Sequence, residues 1–297
     1  MACCTIQADM AILSVQSQLV DGALGNSAAG FILARLGHEV WPLPSILLSH
    51  NPALGQAGGG PIDGGLLISV IDGLASRGRF AQCSLVMSGY LGDAPCATIV
   101  LDAVARAKAA HPDCWFLCDP VMGDHGRAYV SQALIDAFRA RLVPQADIVT
   151  PNPFELGVLT GRVARDRREA FAALDALGRR CAVVTGFSGA DTPRAKLDIL
   201  MVAEGQRFRV GVARHEAAIS GAGDAFAAFF AASLLDHRQR MAFSAAAAMA
   251  LGFAAAASDA LIGATVARSV EQLAILESQA VWGADLNFVA AQQCRLK

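Results

Sequence analysis

The residues best placed to do chemistry are Gly221-Ala222-Gly223-Asp224, followed at once by the apolar run Ala225 to Leu235. The run predicts a buried helix whose N-terminus falls at Gly221 to Gly223. The first backbone N–H groups of a helix have no partner inside it, and the macrodipole makes that end positive. Small residues there let an anion come close to the backbone. An acid at such a place works against an anion site unless it has a separate task. Beside a bound phosphoryl group, Asp224 could take the proton of an attacking hydroxyl. A helix-capping role would by itself account for Asp224 in the isolated motif, so the weight rests on the rest of the chain.

Positioning these residues takes a series of alternating elements. The spacing predicts strands over Ala11–Val15, His38–Leu43, Ser84–Ser88, Trp115–Cys118, Asp147–Val149 and Ala182–Thr185. Between them it predicts helices from Asn26 to Leu36 and over Gly64–Leu74, Ala97–Ala110, Gln132–Arg141, Pro153–Leu159 and Arg168–Leu177. Asp198–Val202 and Arg207–Val212 read as a hairpin around Glu204-Gly205, and three helices follow the glycine motif. Strand and helix in alternation imply an α/β fold with a doubly wound, mostly parallel central sheet, helices on both faces and a small antiparallel edge. The stretch from Ser49 to Gly60 is long for a plain connection and is a candidate lid or binding loop.

In such sheets ligands bind beyond the carboxyl ends of the strands. Those ends carry Gln16-Ser17, Ser88-Gly89-Tyr90, Asp119 with Asp124, Thr150-Pro151-Asn152 with Glu155, and Thr185-Gly186. Acids gathered at one sheet edge repel each other unless a cation lies among them, and Mg²⁺ typically takes one or two carboxylates with water and phosphate oxygens. Asp119 before a proline, Asp124 in a loop and Glu155 in a first helical turn each have a purely structural alternative. Together they point to phosphoryl transfer, with Asp224 as base and the Gly221 to Gly223 backbone facing the transferred group. No Gly-x-x-x-x-Gly-Lys-Ser/Thr loop is present, so the ATP site is of another type.

Composition narrows the classes. The chain has 297 residues and a formal net charge of −2, which supplies no basic field for nucleic acid. Its 8 cysteines lack Cys-x-x-Cys spacing and read as buried thiols rather than a zinc site. Residues 1–10 read as a short disordered extension without signal-peptide character, and 11–297 as one domain. Met241 to Ser258 carries no charge but is dominated by alanine, which suits a close-packed core helix better than a membrane span. A cytoplasmic protein is expected.

Several segments, in order, carry a resemblance: Gln16-Ser17 with Gly22, Gly25-Asn26-Ser27-Ala28-Ala29, Val40-Trp41-Pro42-Leu43, Ser88-Gly89-Tyr90-Leu91-Gly92, Cys118 to Asp124, Pro151-Asn152 with Glu155, and the glycine motif itself. With them, Ala11 to Leu235 resembles the ribokinase-like superfamily and, within it, the pyridoxal kinases. That resemblance implies transfer of a phosphoryl group from ATP, with Mg²⁺, to the 5′-hydroxymethyl group of pyridoxal, and a homodimer. It implies that Ser17 bonds the pyridine ring, that Leu24 and Tyr90 pack on it, and that Asp119, Thr150, Asn152, Glu155 and Thr185 hold Mg-ATP. It further implies that Asp124 lies near the cation, that Gly221, Ala222 and Gly223 form the anion hole, and that Asp224 is the base. The alternatives are a hydroxymethylpyrimidine kinase, which usually carries Cys where Asp224 stands, a sugar kinase, and a non-catalytic binder of pyridoxal phosphate.

The chain departs from the family pattern in one place. Leu48-Ser49-His50-Asn51-Pro52 stands where the family usually has Phe-Ser-Asn-His-Thr. Leu48 replaces an aromatic ring, and Pro52 offers neither hydroxyl nor N–H to a ring substituent.

Overall fold

The computed structural model describes residues 10–215 and 219–266. The expected extension therefore lies outside the described residues apart from Met10, and so does the third helix expected after the glycine motif. The first half runs β1 (Ala11–Leu19), α1 (Asn26–Arg35), β2 (Glu39–Leu48), β3 (Gly59–Pro61), α2 (Gly64–Ser76), β4 (Cys83–Ser88), α3 (Cys96–Ala110) and β5 (Trp115–Cys118). A small hairpin of β6 (Gly123–Asp124) and β7 (Arg127–Ala128) leads to α4 (Gln132–Ala137), a π-helical turn at Phe138–Leu142 and α5 (Val143–Gln145). Then come β8 (Ile148–Val149), α6 (Pro153–Thr160), α7 (Arg167–Ala176), β9 (Cys181–Phe187), β10 (Lys196–Ala203), β11 (Gln206–Ala213), α8 (Ala222–His237) and α9 (Phe243–Val266).

The nine-stranded sheet has the order β11-β10-β9-β8-β5-β4-β1-β2-β3. From β2 to β9 the neighbours are parallel, and β3, β10 and β11 add antiparallel edges. This is the mostly parallel sheet with an antiparallel edge that the alternation predicted. Successive strand residues point to opposite faces, so Val183 and Met201 join α1, α8 and α9 on one side, while Val184 and Leu200 join α2, α3, α4 and α7 on the other. From β1 the chain steps outward to β2 and later returns to place β4 on the other flank of β1. Their carboxyl ends thus frame the switch point where open α/β sheets leave a crevice.

Some boundaries moved. β1 continues to Leu19 because its polar end, Gln16 to Gln18, still pairs with β2, across an irregularity in register between Gln16 and Gln18. The expected long loop holds a 3-10 turn at Pro52–Leu54 and the edge strand β3, which pairs with β2. The helix expected over Gln132 to Arg141 ends at Ala137, where the π-helical turn takes over.

The alanine-rich segment forms α9, which buries Ala246, Ala247, Ala250, Ala254 and Ala257. Small side chains let it approach α8 closely, and Phe229 meets Phe253 edge-on at 5.9 Å. By length and composition alone α9 could cross a membrane. Cys83, Cys96, Cys114, Cys118 and Cys181 are buried and unbridged, as small apolar residues would be.

Candidate active site

At the start of α8, Gly221 takes φ 89°, a left-handed conformation that glycine adopts without strain, and no side chain caps the helix. The first N–H groups of α8 therefore face outward without a side-chain partner from the cap residue. A Cβ placed on Gly223 would meet nothing within 4 Å, so the protein's own packing does not ask for glycine there. Open space beside Gly223 in the first turn is compatible with an anion approaching that turn.

Asp224 does not cap its own helix. Its Oδ2 accepts from the backbone N–H of Gly25 at 2.9 Å, which joins α8 to the start of α1. Gly25 has φ 55°, and a Cβ on it would lie 2.3 Å from Ser17 O and 2.4 Å from Ser17 Oγ. Ser17 at the end of β1 and Asp224 are thus brought together through one glycine. Burial pushes the Asp224 carboxyl up to about 6 against the Gly25 hydrogen bond, which favours the ionised form. The neighbouring turn is fixed by Ser27, whose hydroxyl donates to Leu19 O at 2.9 Å, and by Asn26, whose amide donates to Gln16 O at 3.2 Å.

The acids from the middle of the sheet lie opposite. Asp119 is buried just past β5, and its Oδ1 accepts from Thr150 Oγ1 at 3.0 Å, just past β8. Burial first, and then the charge of Asp224, lift its carboxyl to about 8. Glu155 is buried as well, but both of its oxygens are in use. Oε2 accepts from Asn152 N at 2.8 Å, Asn152 Oδ1 accepts from Glu155 N at 2.9 Å, and Oε1 accepts from Met122 N at 3.0 Å. The first two bonds form a capping box at the start of α6. The structural alternative for Glu155 is therefore realised in full. Asn152 also donates to Gly123 O at 2.7 Å, which fastens the β6–β7 hairpin to α6.

Asp124 is exposed and accepts from His125 N at 2.7 Å. Among the described residues no three acidic, histidine or cysteine side chains are grouped so as to hold a metal ion. The trio Asp119, Asp124 and Glu155 thus forms no closed protein cage. Thr185 lies on β9 beside the Asp119 region, its N–H donating to Pro151 O at 3.1 Å.

Tyr90 is half-buried past β4, and its ring lies 6.4 Å from that of Tyr129. Sequence reasoning missed Tyr129. Tyr129 is exposed over more than half of its surface, and its hydroxyl is shifted upward by desolvation and then by the charges of Glu155, Asp119, Asp224 and Asp124. The available signal was count: the chain has only 2 tyrosines. Leu24 and Leu48 are half-buried on the β1–β2 side. Pro52 is exposed and opens the 3-10 turn, which Asn51 Oδ1 caps by accepting from Ala53 N at 3.0 Å. Ser49 Oγ accepts from Gly58 N at 2.9 Å and bonds His50 Nδ1 at 2.9 Å.

Comparison with known proteins shows which family the chain belongs to. The family model described as phosphomethylpyrimidine kinase matches residues 80–266. A pyridoxal kinase PdxY of Corynebacterium diphtheriae is 38% identical over 274 residues, covering 91% of this chain and 94% of that protein. The pyridoxal kinase PdxY of Granulibacter bethesdensis is 39% identical over 235 residues, covering 76% and 82%. Among solved structures, pyridoxal kinase from Leishmania donovani in complex with ADP and pyridoxamine superposes with a TM-score of 0.78 at 29% identity, covering 86% of this chain and 90% of that one. The same enzyme with ADP and pyridoxine gives 0.79 at 29%, covering 87% and 91%. The chain belongs to the phosphomethylpyrimidine kinase family and, within it, to the pyridoxal kinases. The ribokinase-like fold implied by the sequence motifs is the fold observed.

Proposed function

We propose that this chain transfers the γ-phosphoryl group of ATP to the 5′-hydroxymethyl group of pyridoxal, giving pyridoxal 5′-phosphate, and accepts pyridoxine or pyridoxamine as further substrates. The observation that carries the reading is the Gly25–Asp224 hydrogen bond, which sets a carboxylate between Ser17 and the uncapped start of α8. Asp224 takes the proton of the substrate hydroxyl as its oxygen attacks phosphorus. Its carboxyl, at about 6, is mostly ionised at neutral pH and close enough to it to accept a proton effectively. The N–H groups of Ala222 and Gly223 stabilise the charge on the transferred group. Ser17 bonds the pyridine ring, and Leu24 and Tyr90 pack on it, with Leu48 and Pro52 lining the ring side.

Mg²⁺ supplies charge neutralisation for the nucleotide phosphates when bound. The residues present fit it, because Asp119 is a hard oxygen donor whose carboxylate accepts from the Thr150 hydroxyl, and Mg²⁺ needs few protein ligands. Asp119 and Thr150 would hold the hydrated ion and Thr185 and Asn152 the nucleotide. Glu155 and Asp124 would add negative charge at longer range. We read residues 11–297 as one kinase domain that works in the cytoplasm as a homodimer, the latter checked by light scattering.

The description of the matched family favours a second reading, a hydroxymethylpyrimidine kinase. ATP consumption measured with pyridoxal, pyridoxine, pyridoxamine, hydroxymethylpyrimidine and ribose separates the two. Turnover should be fastest with a pyridoxal vitamer. Turnover confined to the pyrimidine or the sugar, or binding of vitamers without turnover, would overturn the proposal.

A further inference from the structure

Asp198, on β10, has a side chain with 0% exposure, yet it is charged and carries three hydrogen bonds. Its Oδ2 accepts from Arg167 Nε at 2.7 Å and from Thr192 Oγ1 at 2.7 Å, and its Oδ1 accepts from Arg209 Nε at 2.8 Å. Burial alone would raise this carboxyl, and the bonds from Thr192, Arg167 and Arg209 outweigh it and hold it below the usual range. The donors come from three separate places: the first residue of α7, the connection from β9 to β10, and β11. An apolar residue of similar volume would fill a buried strand position with no desolvation cost. What the carboxylate adds is one buried point at which the start of α7, the β9–β10 connection and β11 are all hydrogen-bonded to the same side chain.

The segment most affected is the connection 188–195. Ala190 N donates to Arg165 O at 2.8 Å, Thr192 N to Gly189 O at 3.0 Å, and Gly189 N to Thr192 Oγ1 at 3.1 Å. Arg167 N donates to Asp191 Oδ1 at 3.1 Å, and Arg214 Nε to Arg194 O at 3.0 Å. A Cβ on Gly189 would sit 2.9 Å from Arg165 O, so the two turns are in direct contact. Because Asp198 pairs with Phe187, this cluster stands at the carboxyl end of β9, next to Thr185. β11, which Arg209 anchors, is also the strand from which the chain goes on to Gly221.

We propose that Asp198 is a positioning residue for the nucleotide, which it serves by fixing the connection 188–195 over the strand end that carries Thr185. The proposal rests on the reading of Thr185 as a nucleotide-side residue given above. Asp198 touches no reacting atom, so its loss should move nucleotide binding and spare the chemical step.

The experiment is steady-state kinetics of the full chain and its Asp198→Asn and Thr192→Ala variants, varying ATP and pyridoxal in turn, with ADP affinity measured by calorimetry. Asp198→Asn should raise the KM for ATP and the Kd for ADP about tenfold, with kcat and the KM for pyridoxal within about twofold of the unmodified enzyme. Thr192→Ala should move the nucleotide constants in the same direction by a smaller factor. Unchanged nucleotide constants in a folded Asp198→Asn protein, or an equal rise in both KM values, would overturn the proposal. If Asp198→Asn does not fold, Thr192→Ala decides, and an unchanged KM for ATP in it counts against the proposal. Failure of the functional reading shows differently, as an unmodified enzyme that turns over no vitamer, and ADP calorimetry then still tests the role of Asp198.

Discussion

The backbone N–H of Gly25 donates to Asp224 Oδ2 at 2.9 Å across 199 residues of sequence. The bond does two things at once. It favours the ionised carboxylate, and it fixes the orientation of that carboxylate relative to Ser17, which packs against the same glycine. A carboxylate placed by a main-chain donor cannot be displaced by a change of side-chain rotamer at the donor. The geometry therefore depends on how α1 enters from β1.

Asp224→Asn keeps the shape and removes the proton acceptor. Turnover should fall by about 10²–10⁴-fold, the range typical of a positioned general base, with nucleotide affinity nearly unchanged. The pH profile gives an independent reading. A carboxyl raised to about 6 loses its basic form as pH falls through that value, so kcat/KM should show an acid limb near pH 6 and a plateau above it. A limb at the ordinary carboxylate range, or full turnover in the variant, would remove Asp224 from the mechanism.

On the proposed reading Asp119 couples metal, nucleotide and stability. Its folded-state carboxyl lies at about 8, above its unfolded value, so its contribution to stability is present in acid and is lost as pH rises through about 8. In a chelator the melting temperature should fall between pH 5 and pH 9 by roughly a few degrees, and Asp119→Asn should flatten that slope. Mg²⁺ should raise the melting temperature at pH 8 and restore activity lost to the chelator. Asp119→Ala should weaken Mg-ATP more than pyridoxal. Full activity in excess chelator, or a pH slope unaltered in Asp119→Asn, would contradict this.

Gly25→Ala forces a Cβ to within 2.3 Å of a backbone oxygen, Ser17 O, at a positive φ. A main-chain atom cannot swing aside, so the end of β1 must move. The expected cost is about 2–4 kcal/mol in a urea melt, together with a raised KM for pyridoxal. A variant with the stability and KM of the unmodified enzyme would show that the contact is not tight in solution.

Pro52→Thr restores the hydroxyl that the family usually carries there. An unmade buried hydrogen bond costs roughly 1–3 kcal/mol, whereas one bridged by water costs little. Pro52 is exposed, and Ser49 and Asn51 direct their oxygens to main-chain N–H groups of their own loop. The variant should lower the KM for pyridoxal while barely changing that for ATP. No shift for any vitamer beyond error would place this loop away from the ring.

Legibility followed the range of the interaction. The start of α8 could be read because two glycines, an acid and an apolar run are adjacent, and the strand ends could be read because period and punctuation are local. The continuation of β1 past Gln16-Ser17 was hidden, since Gln16, Ser17 and Gln18 are polar and the strand is carried on to Leu19 by pairing of Gln16, Gln18 and Leu19 with β2. Asp198 read as an ordinary strand residue, because its partners Arg167 and Arg209 are distant in sequence. Glu155 reads from sequence either as a strand-end acid or as a first-turn helix residue, and the geometry of Asn152 and Met122 around it shows where its oxygens are spent.

Tyr90 and Tyr129 are the chain's 2 tyrosines, and their rings lie 6.4 Å apart at the proposed site. Any optical or chemical signal specific to tyrosine therefore originates there and nowhere else in the molecule. Phenol difference absorbance, or the rate of ring nitration, becomes a label-free gauge of occupancy. A titration with ADP or pyridoxal could be followed in the unmodified protein, without a coupled assay and without introducing a probe.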